Sequence, residues 1–150
     1  MFAPKNILVP TDFSDAANCA LEYAKDLART NGATLHIVHA IEMVTYPTGW
    51  TYPGIESMES RHFYAELSDK ELEKRAEALN GEGFSVQVQT LLNGNASDGI
   101  AEYAAMNSVD LICIATHGRS GLGHFFLGST TERLLRKTYC PVLVVRRKED

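Results

Sequence analysis

Residues 115–132 read Ala115-Thr-His117-Gly118-Arg119-Ser-Gly121-Leu-Gly123-His124-Phe-Phe126-Leu-Gly128-Ser129-Thr130-Thr-Glu132, a run whose residue types suit the holding of an anion. Glycines let backbone approach a ligand and adopt positive φ, so that successive N–H groups can converge on phosphate oxygens. Arg119 adds a mobile positive charge. Ser129 and Glu132 form a capping-box pattern, so a helix is expected to start here with its unpaired N–H groups facing the loop. Familiar phosphate loops do not fit. Gly118 and Gly123 have P-loop spacing, but His124-Phe125 follow where Lys and Ser or Thr are needed, and Gly121-x-Gly123 leads to Phe126 where a dinucleotide fingerprint needs Gly or Ala. His117 and His124 could serve as acid–base or phosphate-accepting groups, but loop histidines are more often ordinary hydrogen-bonding surface residues. A phosphoryl-transfer enzyme also needs a positioned metal, a group that orients water and clustered positive charge. The segment therefore reads as a binding element, and no residue is assigned a catalytic role.

The scaffold that must position this run is legible as an alternation of strand-like and helical patterns, the signature of a parallel sheet covered by helices. A first strand, Asn6 to Pro10, turns through Thr11-Asp12-Phe13 into a helix that Ser14 can cap, with Ala17, Ala20, Leu21, Ala24, Leu27 and Ala28 as its apolar stripe. Asn31-Gly32 ends it. A second strand runs from about Thr34 to Ile41. A helix follows somewhere between Ser57 and Asn80, with Leu72, Ala76 and Leu79 inward and the i,i+4 pair Glu71 and Arg75 on its wet side. Phe84 to Leu91 alternates as an outer strand does, and a short helix spans about Ser97 to Met106. Leu111 to Ala115 is apolar throughout and so central; Pro141 to Val145 is the fifth strand. Ligands of such sheets bind beyond the carboxyl ends of the strands, where neighbouring connections diverge, and the glycine-rich run directly follows the fourth strand. The connection Glu42 to Gly54, carrying Tyr46, Trp50 and Tyr52, is too long for an ordinary loop and suits a lid or a subunit contact.

The bulk properties narrow the function. At 150 residues, 45% hydrophobic and 22% charged, the chain fits one folded domain over residues 1–150. Its net charge of -5 argues against a nucleic-acid binder, which gains affinity by neutralising phosphates with Lys and Arg, so an anionic ligand has to be held locally. No apolar stretch approaches the roughly 20 residues of a membrane span, and a cytoplasmic location is expected. Cys19, Cys113 and Cys140 lack CxxC spacing and read as buried thiols. His36 and His39 fall on opposite faces of one strand, so they cannot share a metal.

The motifs resemble those of the universal stress protein family. The ATP-binding branch of that family carries Gly-x2-Gly-x9-Gly-Ser/Thr, and this chain matches it at Gly118, Gly128 and Ser129, with Ala115 in place of the first Gly. Ile7-Leu-Val-Pro-Thr-Asp12, His39-Ala40-Ile41, Thr116-His-Gly-Arg-Ser-Gly121 and Pro141-Val-Leu-Val-Val145 extend the likeness over essentially the whole chain. The resemblance implies an α/β fold of the adenine nucleotide alpha hydrolase-like kind, an open twisted parallel sheet of five strands in the order 3-2-1-4-5. It implies ATP as ligand, with Mg2+ or Mn2+ accompanying it. Asp12, with Pro10 and Thr11, then stands at the nucleoside end; Ala40 and Ile41 border adenine; Gly118, Arg119, Gly128, Ser129 and Thr130 hold ribose and phosphates, and Ala115 and His117 count among the nucleotide-binding residues. No protein metal site is implied beyond a contribution from Asp12 through bound nucleotide. A methyl at Ala115 costs on the order of 1–2 kcal/mol if the position needs positive φ, and narrows the pocket if it touches the nucleotide. The reading is thus a dimeric, stress-related regulatory binding module with slow hydrolysis at most, acting through protein partners. Its rivals are a dimeric interaction protein whose site Ala115 has impaired, and a slow ATPase.

In the order 3-2-1-4-5 the fifth strand is an apolar edge, an open template that proteins cover or pair. Pairing Pro141, Val142, Leu143, Val144 and Val145 with a second copy removes that liability, and the family resemblance implies a homodimer of this kind.

Overall fold

The computed structural model describes residues 1–42, 58–92, 94–116 and 127–147. Its elements are β1 (Asn6–Pro10), α1 (Asp15–Asn31), β2 (Thr34–Ala40), α2 (Met58–Gly81), β3 (Ser85–Leu91), α3 (Ala96–Met106), β4 (Leu111–Ala115), α4 (Ser129–Lys137) and β5 (Val142–Val145). The strands form one parallel sheet in the order β3-β2-β1-β4-β5, as expected. Helices cover both faces because β1, β2 and β4 alternate apolar residues to either side. Ile7, Val9, Leu35, Ile37 and Cys113 pack under Ala24 and Ala28 of α1 and Leu72 and Leu79 of α2. Leu8, Val38, Ile112 and Ile114 pack against Ile100 and Tyr103 of α3 and Leu134 of α4.

Local signals set the ends of α1. Ser14 accepts the N–H of Ala17 at 3.2 Å, and Gly32 closes the helix at φ 61°, a left-handed conformation open to glycine without penalty. β2 ends at Ala40, one residue earlier than expected, although the Ile41 N–H still reaches the Leu91 carbonyl at 2.9 Å. β3 is the expected outer strand, with Val86 and Val88 half-buried. β5 is the other edge: β4 is its strand neighbour, and Pro141 stands just before it, accepting the Ile112 N–H at 3.0 Å. The segment 43–57, which holds nearly all of the aromatic connection, lies outside the described residues.

Three expectations need correction. The capping box does not form: Gly128 is the N-cap of α4, and among the described residues no side chain caps that end. The chain enters the helix one residue earlier, so Ser129 is already helical and Glu132 pairs instead with Arg136 at 3.0 Å. Only Cys113 is a fully buried thiol; Cys19 and Cys140 are half-buried, and burial pushes Cys113 up to about 12. Arg75 is not on the wet side of α2, because its side chain is only 21% exposed.

The two histidines of β2 do part to opposite faces. His36 is buried beside α3, with Nδ1 3.0 Å from the Tyr103 hydroxyl and Nε2 3.3 Å from Asn6 Oδ1. Since Asn6 Oδ1 only accepts, the ring proton belongs on Nε2 and the Tyr103 hydroxyl donates to Nδ1. Burial lowers the His36 pKa below its ordinary 6.5, so the folded protein keeps the ring neutral while the unfolded chain binds a proton more readily. Stability from this residue is therefore intact above about pH 6.5 and is lost as pH falls through that value towards the lowered folded pKa, by at most about 1.4 kcal/mol per pH unit. Urea unfolding between pH 8 and 5 is expected to show this loss, and His36→Gln to flatten it; an equally steep loss in the variant contradicts the assignment.

Candidate functional site

β1 and β4 are adjacent and parallel, with Ile7 opposite Leu111 and Leu8 opposite Ile112. The chain leaves β1 into α1 on one face and continues from β4 towards α4 on the other. A cavity of about 450 Å³ opens where they diverge, within the roughly 300–1,000 Å³ typical of small-molecule sites. Pro10, Thr11 and Asp12 line its β1 side, Ala40 its β2 side, and Ala115, Gly128, Ser129 and Thr130 its β4 and α4 side. All eight were singled out in the sequence, and the fold brings them together. Ile41, whose N–H reaches the Leu91 carbonyl at 2.9 Å, is not among the lining residues. His117, Gly118 and Arg119 lie outside the described residues.

The turn after β1 is tightly prescribed. The Thr11 N–H donates to the Val38 carbonyl at 2.8 Å, and Thr11 Oγ1 accepts the Phe13 N–H at 3.0 Å. Asp12 Oδ1 accepts the Ser14 N–H at 3.0 Å, an Asx turn that orients the carboxylate. His39 Nδ1 donates to the Thr11 carbonyl at 2.7 Å.

On the opposite side, two polar contacts join α4 to the end of β4. The Gly128 N–H meets the Thr116 carbonyl at 2.6 Å, and the buried Thr131 hydroxyl donates to the Ala115 carbonyl at 2.9 Å. These aim the amino end of α4 into the cavity. Ala115 itself ends β4 opposite Val145 and is not among the positive-φ residues. The backbone penalty considered for its methyl does not arise.

Two helix amino ends border the cavity, and they differ. At α3 the protein supplies its own acceptors: Glu42 Oε1 takes the Ala96 N–H at 3.2 Å and Asn95 Oδ1 takes the Ser97 N–H at 2.9 Å. At α4 the N-cap is Gly128, which has no side chain to offer, and among the described residues no side-chain cap is made to the first turn, whose N–H groups lack intrahelical acceptors. An anion is therefore drawn to α4, while the Glu42 carboxylate repels it from α3. Ala40, Ile100 and Ile114 provide apolar wall between these ends. Among the described residues no group of three or more His, Cys, Asp or Glu converges as metal ligands do.

Sequence reasoning missed Glu42, His39, Thr131, Ala96 and Ile100, all of which line the cavity. Glu42 and His39 had a visible signal, since both stand at the carboxyl end of β2. Thr131, Ala96 and Ile100 had none, because their placement depends on how α3 and α4 pack.

The sequence model of the universal stress protein family matches residues 4–146. The chain is 34% identical over 146 residues to Universal stress protein in QAH/OAS sulfhydrylase 3'region of Thermus aquaticus, covering 95% of this chain and 98% of that one. The solved structure of MJ0577, a protein of Methanocaldococcus jannaschii, superposes over the whole of both chains with a TM-score of 0.81 at 29% identity. A universal stress protein of Archaeoglobus fulgidus, solved in complex with dAMP, has the same fold with a TM-score of 0.65 at 22% identity, covering 96% of this chain and 98% of that one.

The Thr131 contact makes a direct prediction for this geometry. Thr131→Val keeps the shape but leaves the buried Ala115 carbonyl short of its partner, a loss of roughly 1–3 kcal/mol in urea unfolding. An unchanged midpoint contradicts the anchoring role.

Proposed function

Since the chain belongs to the universal stress protein family, we propose that the cavity binds ATP, with its phosphates at the amino end of α4 and its nucleoside beside Asp12. The observation that carries this reading is the asymmetry of the two helix ends: α3 is capped by Glu42 and Asn95, and α4, with Gly128 as its N-cap, has no side-chain cap among the described residues. A ligand with one neutral and one polyanionic end suits that polarity. In this reading Ala40 borders the base and Ala115, which also lines the cavity, meets the nucleotide. Gly128, Ser129 and Thr130 supply donors for phosphate oxygens, with Gly118, Arg119 and His117 as further contacts from the glycine-rich run. The dAMP bound to the Archaeoglobus fulgidus protein supports an adenine nucleotide. Mg2+ or Mn2+ would enter with the phosphates, assisted by Asp12.

The protein acts in this reading as a cytoplasmic stress-response module whose nucleotide occupancy alters a surface read by other proteins. Hydrolysis is slow; turnover above about 1 per second, in the range of ordinary enzymes, contradicts it. Calorimetry is expected to rank ATP above ADP, AMP and adenosine. Asp12→Ala should weaken ATP by about 10- to 100-fold, the worth of a hydrogen bond to a charged group. No binding at millimolar ATP favours the rival reading, a dimeric interaction protein without nucleotide.

We also propose that β5 pairs with β5 of a second copy. Val142, Leu143 and Val144 are half-buried on an edge with one strand neighbour in this chain, which suits such pairing. Light scattering at micromolar concentration should give a dimer, and Leu143→Asp a monomer; a monomeric wild type contradicts the proposal.

A further inference from the structure

Phe13 has φ 64°, a left-handed conformation that is an outlier for a bulky L-residue. It follows directly on Thr11 and Asp12, both of which line the cavity. A strained residue persists only where its surroundings over-determine it, and here they can be named. One face of the ring meets His39, with centroids 4.7 Å apart. The Arg75 guanidinium lies 5.1 Å from the ring centroid, the geometry of a cation–π contact.

Arg75 comes from α2, far along the chain, and is held in place itself. Its Nη1 donates to Asn18 Oδ1 of α1 at 2.7 Å. Its Nε is enclosed and makes no hydrogen bond, with Glu71 Oε1 3.8 Å away as counter-charge. The guanidinium is thus fixed over Phe13 by a neighbour on each helix.

We propose that Arg75 is a positioning residue for the ligand cavity: by clamping Phe13 in its left-handed conformation, it holds the Asp12 carboxylate at the cavity wall. This rests on the nucleotide reading of the cavity and adds to it a determinant outside the cavity lining. The mechanism is local. If Phe13 relaxes to negative φ, the Ser14 N–H leaves Asp12 Oδ1, and the Asx turn that aims the carboxylate opens. Glycine adopts positive φ without a clamp, so the need for Arg75 should vanish when residue 13 is glycine.

The test is a double-mutant cycle of Arg75→Ala and Phe13→Gly, read by ATP calorimetry and by amide hydrogen exchange at Asp12, Phe13 and Ser14 without nucleotide. Arg75→Ala should weaken ATP and speed exchange by about tenfold each, the population shift that matches the intrinsic penalty of a left-handed L-residue. Phe13→Gly alone should stay within about threefold of wild type, and adding Arg75→Ala to it should change neither readout further. A merely structural Arg75 would cost the same in both backgrounds, and that result overturns the proposal. So does wild-type exchange in Arg75→Ala. If wild type binds no ATP, the nucleotide reading fails, and the exchange cycle still decides whether Arg75 holds the turn.

Discussion

Adjacent parallel strands whose chains leave on opposite faces cannot be roofed by their own connections at the point where they part, and every feature of this site follows from that. β1 feeds α1 on one face, and β4 leads to α4 on the other. The gap between the carboxyl ends of β1 and β4 is therefore built into the sheet order. What the protein adds is control over which polar groups face the gap. Thr131 and Gly128 lock the start of α4 to the last carbonyls of the β4 region, so the positive end of that helix is a fixed part of the wall.

The cavity is polarised as a result. Its α3 end is satisfied by Glu42 and Asn95, its α4 end has no side-chain cap among the described residues, and Asp12 lines the same cavity from the β1 side. Fixed dipoles need no reorganisation when a ligand arrives, which makes them effective on a protein whose net charge is negative. The arrangement also extends beyond the lining. Arg75, Phe13 and His39 stack in sequence behind the Thr11–Asp12 turn, so α2, which has no residue among those lining the cavity, is coupled to its wall.

The fold was legible because its signals are local or periodic. The apolar strands, the Ser14 cap and the Asn31-Gly32 stop each act within a few residues, and the alternation of elements dictates a parallel sheet. The site was legible through the family resemblance: Pro10, Thr11, Asp12, Ala40 and Ala115 were assigned on motif residues at or just beyond strand ends, and all five line the cavity. The expectation failed where one residue of register or a tertiary contact decides. The Ser129 and Glu132 pattern is that of a capping box, but the Gly128 contact with Thr116 starts the helix a residue early. The spacing of Glu71 and Arg75 suits a solvated pair, but Asn18 and Phe13 draw the guanidinium inward. A left-handed phenylalanine has no signature in sequence, because its cause lies in residues 39 and 75.

The most direct test follows the backbone amides of Ser129, Thr130 and Thr131 by nuclear magnetic resonance during parallel titrations with ATP and adenosine. Saturable shifts at all three with ATP, and far smaller ones with adenosine, are expected if α4 receives the phosphates. Equal shifts with both ligands, or none at these amides while residues elsewhere respond to ATP, would contradict the account.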